Sequence, residues 1–246
     1  MNEVVRAGDT VRRPSGPWTS TVHEVLRRLH LKGIEGVPQA YDIDDAGRES
    51  LDFVPGSVPS YPMPVWIWED SFLVTAAGRL REFHDATAGL NIVDAVWKTP
   101  VHEPAEVVCH NDFAPYNFVC RDGQFSAVID WDTISPGPRI WDVAYLAYRL
   151  CPLTAPTNPD GRPGISCEDQ GRRLGRLLGA YADFTASEAL IVAVERLEDL
   201  ARFTAAEAQR QSRSDLAGHV NLYMNDVEYL QTAGSSIVGA AERGIL

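Results

Sequence analysis

The stretch from Val107 to Tyr145 constrains the fold more than any other part of the chain, because short apolar runs alternate there with clusters of polar residues. It reads VVCHNDFAPYNFVCRDGQFSAVIDWDTISPGPRIWDVAY. The apolar run Val107–Cys109 has the composition of a buried strand, and it leads directly into the polar triplet His110–Asp112. Polar side chains at the end of a buried strand are well placed to form a site.

A second apolar run, Phe125–Ile129, leads into Asp130. The segment Arg121–Gln124 lies between the two runs and contains the Asp-Gly pair typical of a β-hairpin turn. We therefore expect two strand ends to bring Asp112, Asn117 and Asp130 close together.

This set of side chains suits phosphoryl transfer. In such reactions one carboxylate accepts or orients the attacking hydroxyl, while an amide and a second carboxylate hold magnesium against the phosphates. Magnesium prefers hard oxygen ligands of this kind. The spacing H-x-D-x-x-x-x-N from His110 to Asn117, followed by a short strand that ends in Asp130, is the kinase catalytic-loop pattern.

The segment resembles the aminoglycoside phosphotransferase and choline kinase-like enzymes, a branch of the protein kinase-like fold. That family has H-G-D-x-x-x-x-N, then I-D-[WF]-[DE], then a G-D-P-x-x-D-L-A-like stretch. The corresponding stretches here are His110–Asn117, Ile129–Asp132 and Gly137–Ala144. Three linked motifs in the same order are a far more specific signal than any one of them.

The resemblance implies roles for these residues. Asp112 would be the catalytic base, and Asn117 and Asp130 would bind Mg²⁺, with ATP or GTP as the co-substrate. His110 would brace the loop, and Asp142 would be a structural carboxylate. The alternative is that Asp112 and Asn117 only cap a turn, as these residue types often do, but turn chemistry does not explain Asp130.

The predicted fold class is α+β, a two-lobed protein kinase-like fold. Residues 1–56 would form a shortened, sheet-containing nucleotide-binding lobe, and residues 57–246 a larger, mainly helical catalytic and substrate-binding lobe. The backbone of Phe53 and Val54, in the segment between the lobes, would contact the adenine ring. Helices are expected over Thr19–Leu31, Val65–His84, Glu168–Phe184, Ser187–Gln211 and Leu216–Leu230.

The N-terminal region departs from the family pattern. Its one hairpin turn, Ala7–Asp9, holds a single glycine, whereas a glycine-rich turn normally covers the phosphates. No lysine lies on the following strand, which carries Arg12 and Arg13. One of these arginines would point inward and meet Glu24 on the first helix; Arg12 is predicted to be that residue, and the alternative is that both are exposed.

Composition limits the partners. The net charge of −12 argues against nucleic acid, which calls for a basic surface, and it suits a cationic small molecule. No apolar run reaches the length of a membrane span, the N-terminus lacks the pattern of a signal peptide, and the four cysteines form no C-x-x-C pair. A cytoplasmic enzyme that acts on a small molecule, away from membranes, is predicted.

The sequence thus predicts a small-molecule kinase that phosphorylates a hydroxyl of an aminoglycoside or amino-alcohol type of substrate. A second hypothesis is a non-catalytic binding module that keeps the fold but has lost productive nucleotide binding. A third is that the natural chain starts further upstream and includes the glycine-rich loop.

Overall fold

The computed structural model describes residues 4–211 and 216–243, and the chain divides into two compact units. The first unit comprises Met1–Pro59 and Arg79–Asp142, and the second comprises Ser60–Gly78 and Val143–Leu246. The elements are, in order, β1 Val5–Ala7, β2 Thr10–Pro14, α1 Thr19–Leu31, β3 Ala40–Ile43, β4 Arg48–Asp52, α2 Asp70–Thr87, β5 Val107–Cys109, β6 Phe118–Arg121, β7 Gln124–Val128, β8 Ser135–Gly137, α3 Arg139–Leu150, α4 Cys167–Tyr181, α5 Ala186–Gln211 and α6 Leu216–Arg243. The sequence analysis divided the chain into a nucleotide-binding lobe, residues 1–56, and a catalytic lobe, residues 57–246. That division stays a prediction.

The N-terminal sheet of the first unit is small. It has four strands in the order β1-β2-β4-β3, and its neighbouring strands are antiparallel. From residue 4 onward, a single hairpin, turning at Gly8, precedes α1, as the sequence predicted. On the inner part of the sheet Arg13 of β2 lies directly opposite Glu49 of β4, and this pairing matters for the site.

The strands that follow α2 form two separate ribbons. The hairpin turn at Arg121–Gln124 is confirmed, but the first strand of that hairpin is β6, which pairs with β7. Strand β5 instead pairs with β8, with Val107 opposite Gly137. The sequence signal of β8 is weak because it is only a Ser-Pro-Gly triplet, and its position depends on contacts distant in sequence.

An aromatic cluster supports the polar loops of the first unit. The ring of Phe83 meets those of Phe113 and Trp131 edge-on, at centroid distances of 5.9 and 5.6 Å. The ring of His110 lies 5.0 Å from Trp131 and 5.8 Å from Phe113 in the same orientation. Edge-to-face packing of this kind adds to the stabilisation that burial alone provides. The residues that follow β5 and β7 are therefore supported by packed aromatic rings.

The second unit is mainly helical. Helix α6 packs against α4 and α5, and a Cβ atom added at Gly171 of α4 would lie 2.5 Å from Cβ of Ala240, so a larger residue cannot fit there. Helix α6 extends to Arg243, beyond the predicted end at Leu230.

Helix α5 begins one residue before the predicted Ser187. Its first turn is capped by Thr185, whose Oγ1 accepts from the backbone N–H of Glu188 at 3.2 Å. The carboxylate of Glu188 in turn accepts from the N–H of Thr185 at 2.8 Å. This reciprocal arrangement is a capping box, in which Glu188 supplies the acceptor three positions after the cap.

Within residues 4–211 and 216–243, no single helix has the length and apolar character needed to cross a membrane. The bent pair formed by α4 and α5 meets the test jointly, on length and composition alone.

Candidate active site

Asp112 and Asn117 lie against each other in the loop after β5. The amide nitrogen of Asn117 donates to the backbone oxygen and to Oδ2 of Asp112, both at 2.9 Å. The hydroxyl of Tyr116 donates to Oδ1 of the same carboxylate at 2.5 Å. Both oxygens of Asp112 are therefore held in place, and Asn117 has its amide oxygen left for a further partner.

Asp130 lies just after β7, separated from the end of the strand by Ile129. The N–H of Ile129 donates to the backbone oxygen of Asn117 at 2.9 Å, so the two polar loops are joined one residue before Asp130. Asp130 has φ of 61°, a left-handed conformation that Asp tolerates better than most residues, and its side chain is 51% exposed. The backbone bond of Ile129 places Asp130 next to the loop of Asp112 and Asn117, and the joint role of the three residues stays a prediction. Carboxylate and amide oxygens are the donors that Mg²⁺ prefers, so this set fits that ion.

His110 connects the same two loops through its ring. Its Nε2 lies 3.2 Å from the backbone oxygen of Ile129, and the N–H of Asp112 donates to its Nδ1 at 3.3 Å. The ring can make both bonds only as the neutral tautomer protonated on Nε2. Burial lowers the pKa of His110, although nearby carboxylates act in the opposite direction, and the neutral ring agrees with this shift.

Asp142 holds the backbone at the start of the loop. Its carboxylate accepts from the N–H of His110 at 2.6 Å and from that of Asn111 at 2.8 Å, and His84 lies 3.2 Å away. Burial alone would raise the pKa of Asp142, but the hydrogen bond and charge of His84, with the backbone hydrogen bond from His110, lower it. His84, Cys109 and Asp142 also have potential metal-ligand atoms within 4.8 Å of one another, yet the carboxylate is already occupied by these backbone groups.

Asn111 stands where the family pattern has glycine. Its φ is 64°, which explains why the pattern favours glycine and why Asn is an acceptable replacement. The buried amide nitrogen donates to the backbone oxygen of Thr133 at 2.7 Å and to Oγ of Ser135 at 2.8 Å. Asn111 thereby ties the loop of Asp112 to the segment that follows Asp130.

Arg13, not Arg12, points inward from β2. Arg13 is 8% exposed, and it donates from Nε to Glu49 at 2.8 Å, from Nη1 to Asp130 at 3.0 Å and from Nη2 to Asp132. Burial would lower the pKa of Arg13, but the three carboxylates raise it. Arg12 is exposed, so the prediction that it is the inward residue is wrong. Successive strand residues face opposite sides, and the carboxylates lie on the side of Arg13.

Glu24 is not the partner of the inward arginine, and that prediction is also wrong. Its carboxylate is bound by Arg27 and Arg28 on its own helix, with Nε distances of 3.0 and 2.5 Å. Residues three and four positions apart on a helix are natural neighbours, so Glu24 has local partners. The buried carboxylate that meets the arginine is Glu49, which also lies 2.8 Å from Nε2 of His23.

Asp132 is a buried carboxylate that forms ion pairs with Arg13 and Lys98. It is 6% exposed, and burial raises its pKa although Arg13 and Lys98 act to lower it. The ammonium of Lys98 lies 3.6 Å from Oδ2 of Asp132. Sequence analysis found no lysine on the strand of Arg12 and Arg13, and no local pattern indicates that the irregular segment before β5 brings Lys98 to this carboxylate.

Phe53 and Val54 lie directly after β4 and are half-buried. The N–H of Phe53 donates to the backbone oxygen of Asp9 at 2.8 Å, and the guanidinium of Arg6 lies 3.6 Å from the centre of the Phe53 ring. The contact of this segment with an adenine ring stays a prediction.

The Pro- and Gly-rich segment between α3 and α4 is anchored in the second unit. The carboxylate of Asp226 accepts from the N–H of Ala155 at 2.7 Å and from the amide of Asn158 at 2.6 Å. The segment lines a cavity of about 280 Å³ together with Tyr229. Its backbone is therefore held by a buried carboxylate.

Comparison with known proteins points in one direction. The family model described as "Phosphotransferase enzyme family" matches residues 7–162, which is more than half of the 246-residue chain. The matched range includes β2, the loop of Asp112 and the segment of Asp130.

Among curated proteins, the trifolitoxin immunity protein of Rhizobium leguminosarum bv. trifolii is 34% identical over 140 residues, which cover 54% of this chain. The chain spans about half of that relative, 52% of its length. Among solved structures, a choline/ethanolamine kinase family protein from Mesorhizobium loti has a TM-score of 0.62 at 16% identity, covering 99% of this chain and 90% of the other. The gentamicin complex of APH(2")-IIa has a TM-score of 0.61 at 12% identity, covering 91% and 87%.

At such identities the structural likenesses concern the fold alone. They confirm the predicted α+β, protein kinase-like fold with a small N-terminal sheet and a mainly helical C-terminal region.

Proposed function

We propose, since this chain belongs to the phosphotransferase enzyme family, that it transfers the γ-phosphoryl group of ATP or GTP to a hydroxyl of a small cationic substrate, such as an aminoglycoside or an amino alcohol. The observation that carries the proposal is the arrangement of Asp112, Asn117 and Asp130. Asp112 and Asn117 are hydrogen-bonded to each other. Asp130 comes directly after Ile129, whose N–H donates to the backbone oxygen of Asn117.

Asp112 is proposed as the catalytic base. The acceptor oxygen forms a bond to the γ-phosphorus while the bond from that phosphorus to the β,γ-bridging oxygen breaks, and the nucleoside diphosphate leaves. The proton of the hydroxyl passes to the carboxylate. The bonds from Tyr116 and Asn117 fix the orientation of this carboxylate before substrate arrives, and positioning of this kind accounts for much of the catalysis in phosphoryl transfer.

Asn117 and Asp130 are proposed to hold Mg²⁺ through the amide oxygen and the carboxylate. When bound, the ion neutralises charge on the phosphates and aligns them. Asp130 is oriented for this by Arg13, which bonds to only one of its oxygens among the described contacts.

Arg13 stands on the strand where the family pattern has a lysine, and it is proposed to hold the carboxylates of the site in place. It lies on β2, faces the carboxylates that follow β7, and carries a permanent charge. Arg12 and Glu24 have no part in the proposed site, because the first is exposed and the second is bound on its own helix. Phe53 and Val54 keep their proposed backbone contact with the base of the nucleotide.

The acceptor is proposed to be cationic because the net charge of the protein is −12, which attracts positively charged ligands and repels nucleic acid. Family members share the phosphoryl-transfer machinery and differ in their acceptors, so the fold alone does not select the substrate.

The test is a calorimetric titration of ATP and GTP in the presence and absence of Mg²⁺, on the wild type and on Asp130→Asn. Asp45→Asn, in the exposed turn between β3 and β4, is the matched control. We expect Mg²⁺-dependent binding to wild type and control and its loss in Asp130→Asn, followed by turnover with members of a panel of cationic alcohols and antibiotics. Failure of the folded wild type to bind either nucleotide would refute the proposal.

A second candidate function is immunity to trifolitoxin or a related toxin, which the 34% identity to a trifolitoxin immunity protein favours. Expression in a trifolitoxin-sensitive strain, as wild type and as Asp112→Asn, tests it. Protection that requires Asp112 would join the two functions in one reaction. Protection by both proteins would instead support a non-catalytic binding module. If neither protein restores growth in the presence of trifolitoxin, immunity is excluded.

A further inference from the structure

We propose that Lys98 makes the direct contact with the phosphates of the nucleotide, while Arg13 serves to hold the surrounding carboxylates. The inference rests on the proposed phosphotransferase function, and it assigns to a residue outside the sheet the role that a strand lysine would otherwise have.

The first argument is that each nitrogen of the Arg13 guanidinium already donates to a carboxylate. Its Nε, Nη1 and Nη2 each donate to a different carboxylate, those of Glu49, Asp130 and Asp132. Glu49 is 2% exposed and Asp132 6%. If Arg13 turned toward a phosphate, it would leave buried charges uncompensated, which is strongly unfavourable.

The second argument is that Lys98 has the opposite properties. Its side chain is 37% exposed, and its ammonium lies 3.6 Å from Asp132, too far for a direct hydrogen bond. An ammonium group has three donors, and here they can turn to a phosphate while the ion pair with Asp132 keeps the group at the site.

The third argument is that the backbone around Lys98 is fixed on both sides. The N–H of Val96 donates to Oγ1 of Thr21 on α1 at 3.0 Å. On the other side, Oγ1 of Thr99 donates to the backbone oxygen of Thr133 at 2.7 Å, one residue after Asp132. The segment is therefore fastened both to the first helix and to the loop that carries Asp130.

The side chain itself is also guided. The ammonium of Lys98 lies 4.9 Å from the centre of a ring of Trp18, within the range of a cation–π contact. Trp18 immediately precedes α1. The ring contact and the ion pair with Asp132 together restrict the ammonium, and a lysine that receives a polyanion benefits from such preorganisation.

The test compares Mg-ATP affinity in wild type, Lys98→Met and Lys32→Met by calorimetry. Lys32 is the matched control because it is the other lysine of the chain, and its ammonium donates to the backbone oxygen of Ala86 at 2.6 Å, away from these carboxylates. A charge-assisted hydrogen bond contributes enough that Lys98→Met should weaken Mg-ATP binding about 10- to 100-fold, with adenosine binding unchanged. Lys98→Arg should recover part of the loss, because it restores the charge.

A second measurement needs no variant. An acyl phosphate derivative of ATP transfers its acyl group to an amine near the phosphates, forming an amide as ATP leaves, and the chain offers only Lys32 and Lys98 as lysine targets. We expect labelling of Lys98, with protection by excess Mg-ATP, and little labelling of Lys32.

The outcomes separate this inference from the proposed function. If wild type and Lys98→Met bind Mg-ATP equally and the label does not favour Lys98, the role of Lys98 is wrong while the phosphotransferase proposal stands. If wild type itself does not bind Mg-ATP, the proposed function fails and this inference fails with it.

Discussion

Nη1 of Arg13 donates to Oδ1 of Asp130 at 3.0 Å, so the N-terminal sheet and the proposed magnesium carboxylate are joined by one ion pair. The same guanidinium reaches two further carboxylates, which are buried. Arg13 therefore connects the stability of the first unit with the geometry of the site.

Replacement of this arginine should reveal that connection. Arg13→Met leaves Glu49 and Asp132 buried without their main cation, and removal of one partner from a buried ion pair typically costs about 3–5 kcal/mol. We expect the free energy of unfolding, measured by urea titration, to fall by that order. Arg12→Met, one residue away and exposed, is the control and should change it by less than about 0.5 kcal/mol. Equal effects of the two variants would show that the network does not stabilise the fold.

Asp112→Asn should separate binding from chemistry. The substitution keeps the size of the side chain but removes the proton acceptor, so phosphoryl transfer to an acceptor identified in the panel should slow about 10²- to 10⁴-fold. Mg-ATP affinity, measured by calorimetry, should change little because Asp112 is not among the proposed metal ligands. Unchanged turnover in Asp112→Asn would remove this residue from the mechanism.

The stability of the protein should depend on pH through His110. Its folded-state pKa is lowered by burial, so below the unfolded value of about 6.5 the unfolded state binds the proton and the folded state does not. The stabilising contribution is therefore complete above about pH 6.5 and declines as the pH falls below that value.

Urea titrations at pH 7 and pH 5 measure this difference. His110→Gln should reduce the pH dependence, whereas His30→Gln, at an exposed position at the end of α1, should leave it unchanged. A wild-type stability that rises as the pH falls through this window would contradict the assignment.

Asn111 should be sensitive to both backbone and side-chain changes. Asn111→Gly keeps the left-handed conformation accessible but loses the hydrogen bonds of the amide, at a cost of about 1–3 kcal/mol. Asn111→Ala loses the same bonds and adds about 1–2 kcal/mol for a left-handed alanine. Unfolding free energies from urea titration should therefore rank wild type above Gly above Ala, and an alanine variant as stable as the glycine variant would show that the backbone relaxes.

The local sequence was sufficient for much of this site. The loop of Asp112 and Asn117, the hairpin turn at Asp122–Gly123 and the strand end before Asp130 are determined by residues within a few positions of one another. Such features follow from hydrogen bonding and backbone preference over short range, and the family resemblance carried by the three motifs implied the fold class.

The partners of the inward arginine, in contrast, could not be predicted from the local sequence. Which face of β2 is buried, and hence whether Arg12 or Arg13 points inward, depends on what packs against the strand. The partner Glu49 comes from β4, whereas Glu24, a plausible candidate from spacing, is satisfied by its own helix. A strand pattern of two adjacent arginines contains no information that separates these outcomes.

The sequence by itself determined the order of the motifs, the α+β composition and the residues that follow the strand ends, because these depend on short-range propensity and periodicity. Only the tertiary structure decided that β5 pairs with β8, that Arg13 gathers three carboxylates and that Lys98 returns to Asp132. These contacts join segments distant along the chain, and they form because buried charges must find opposite charges wherever the packed fold brings them within reach.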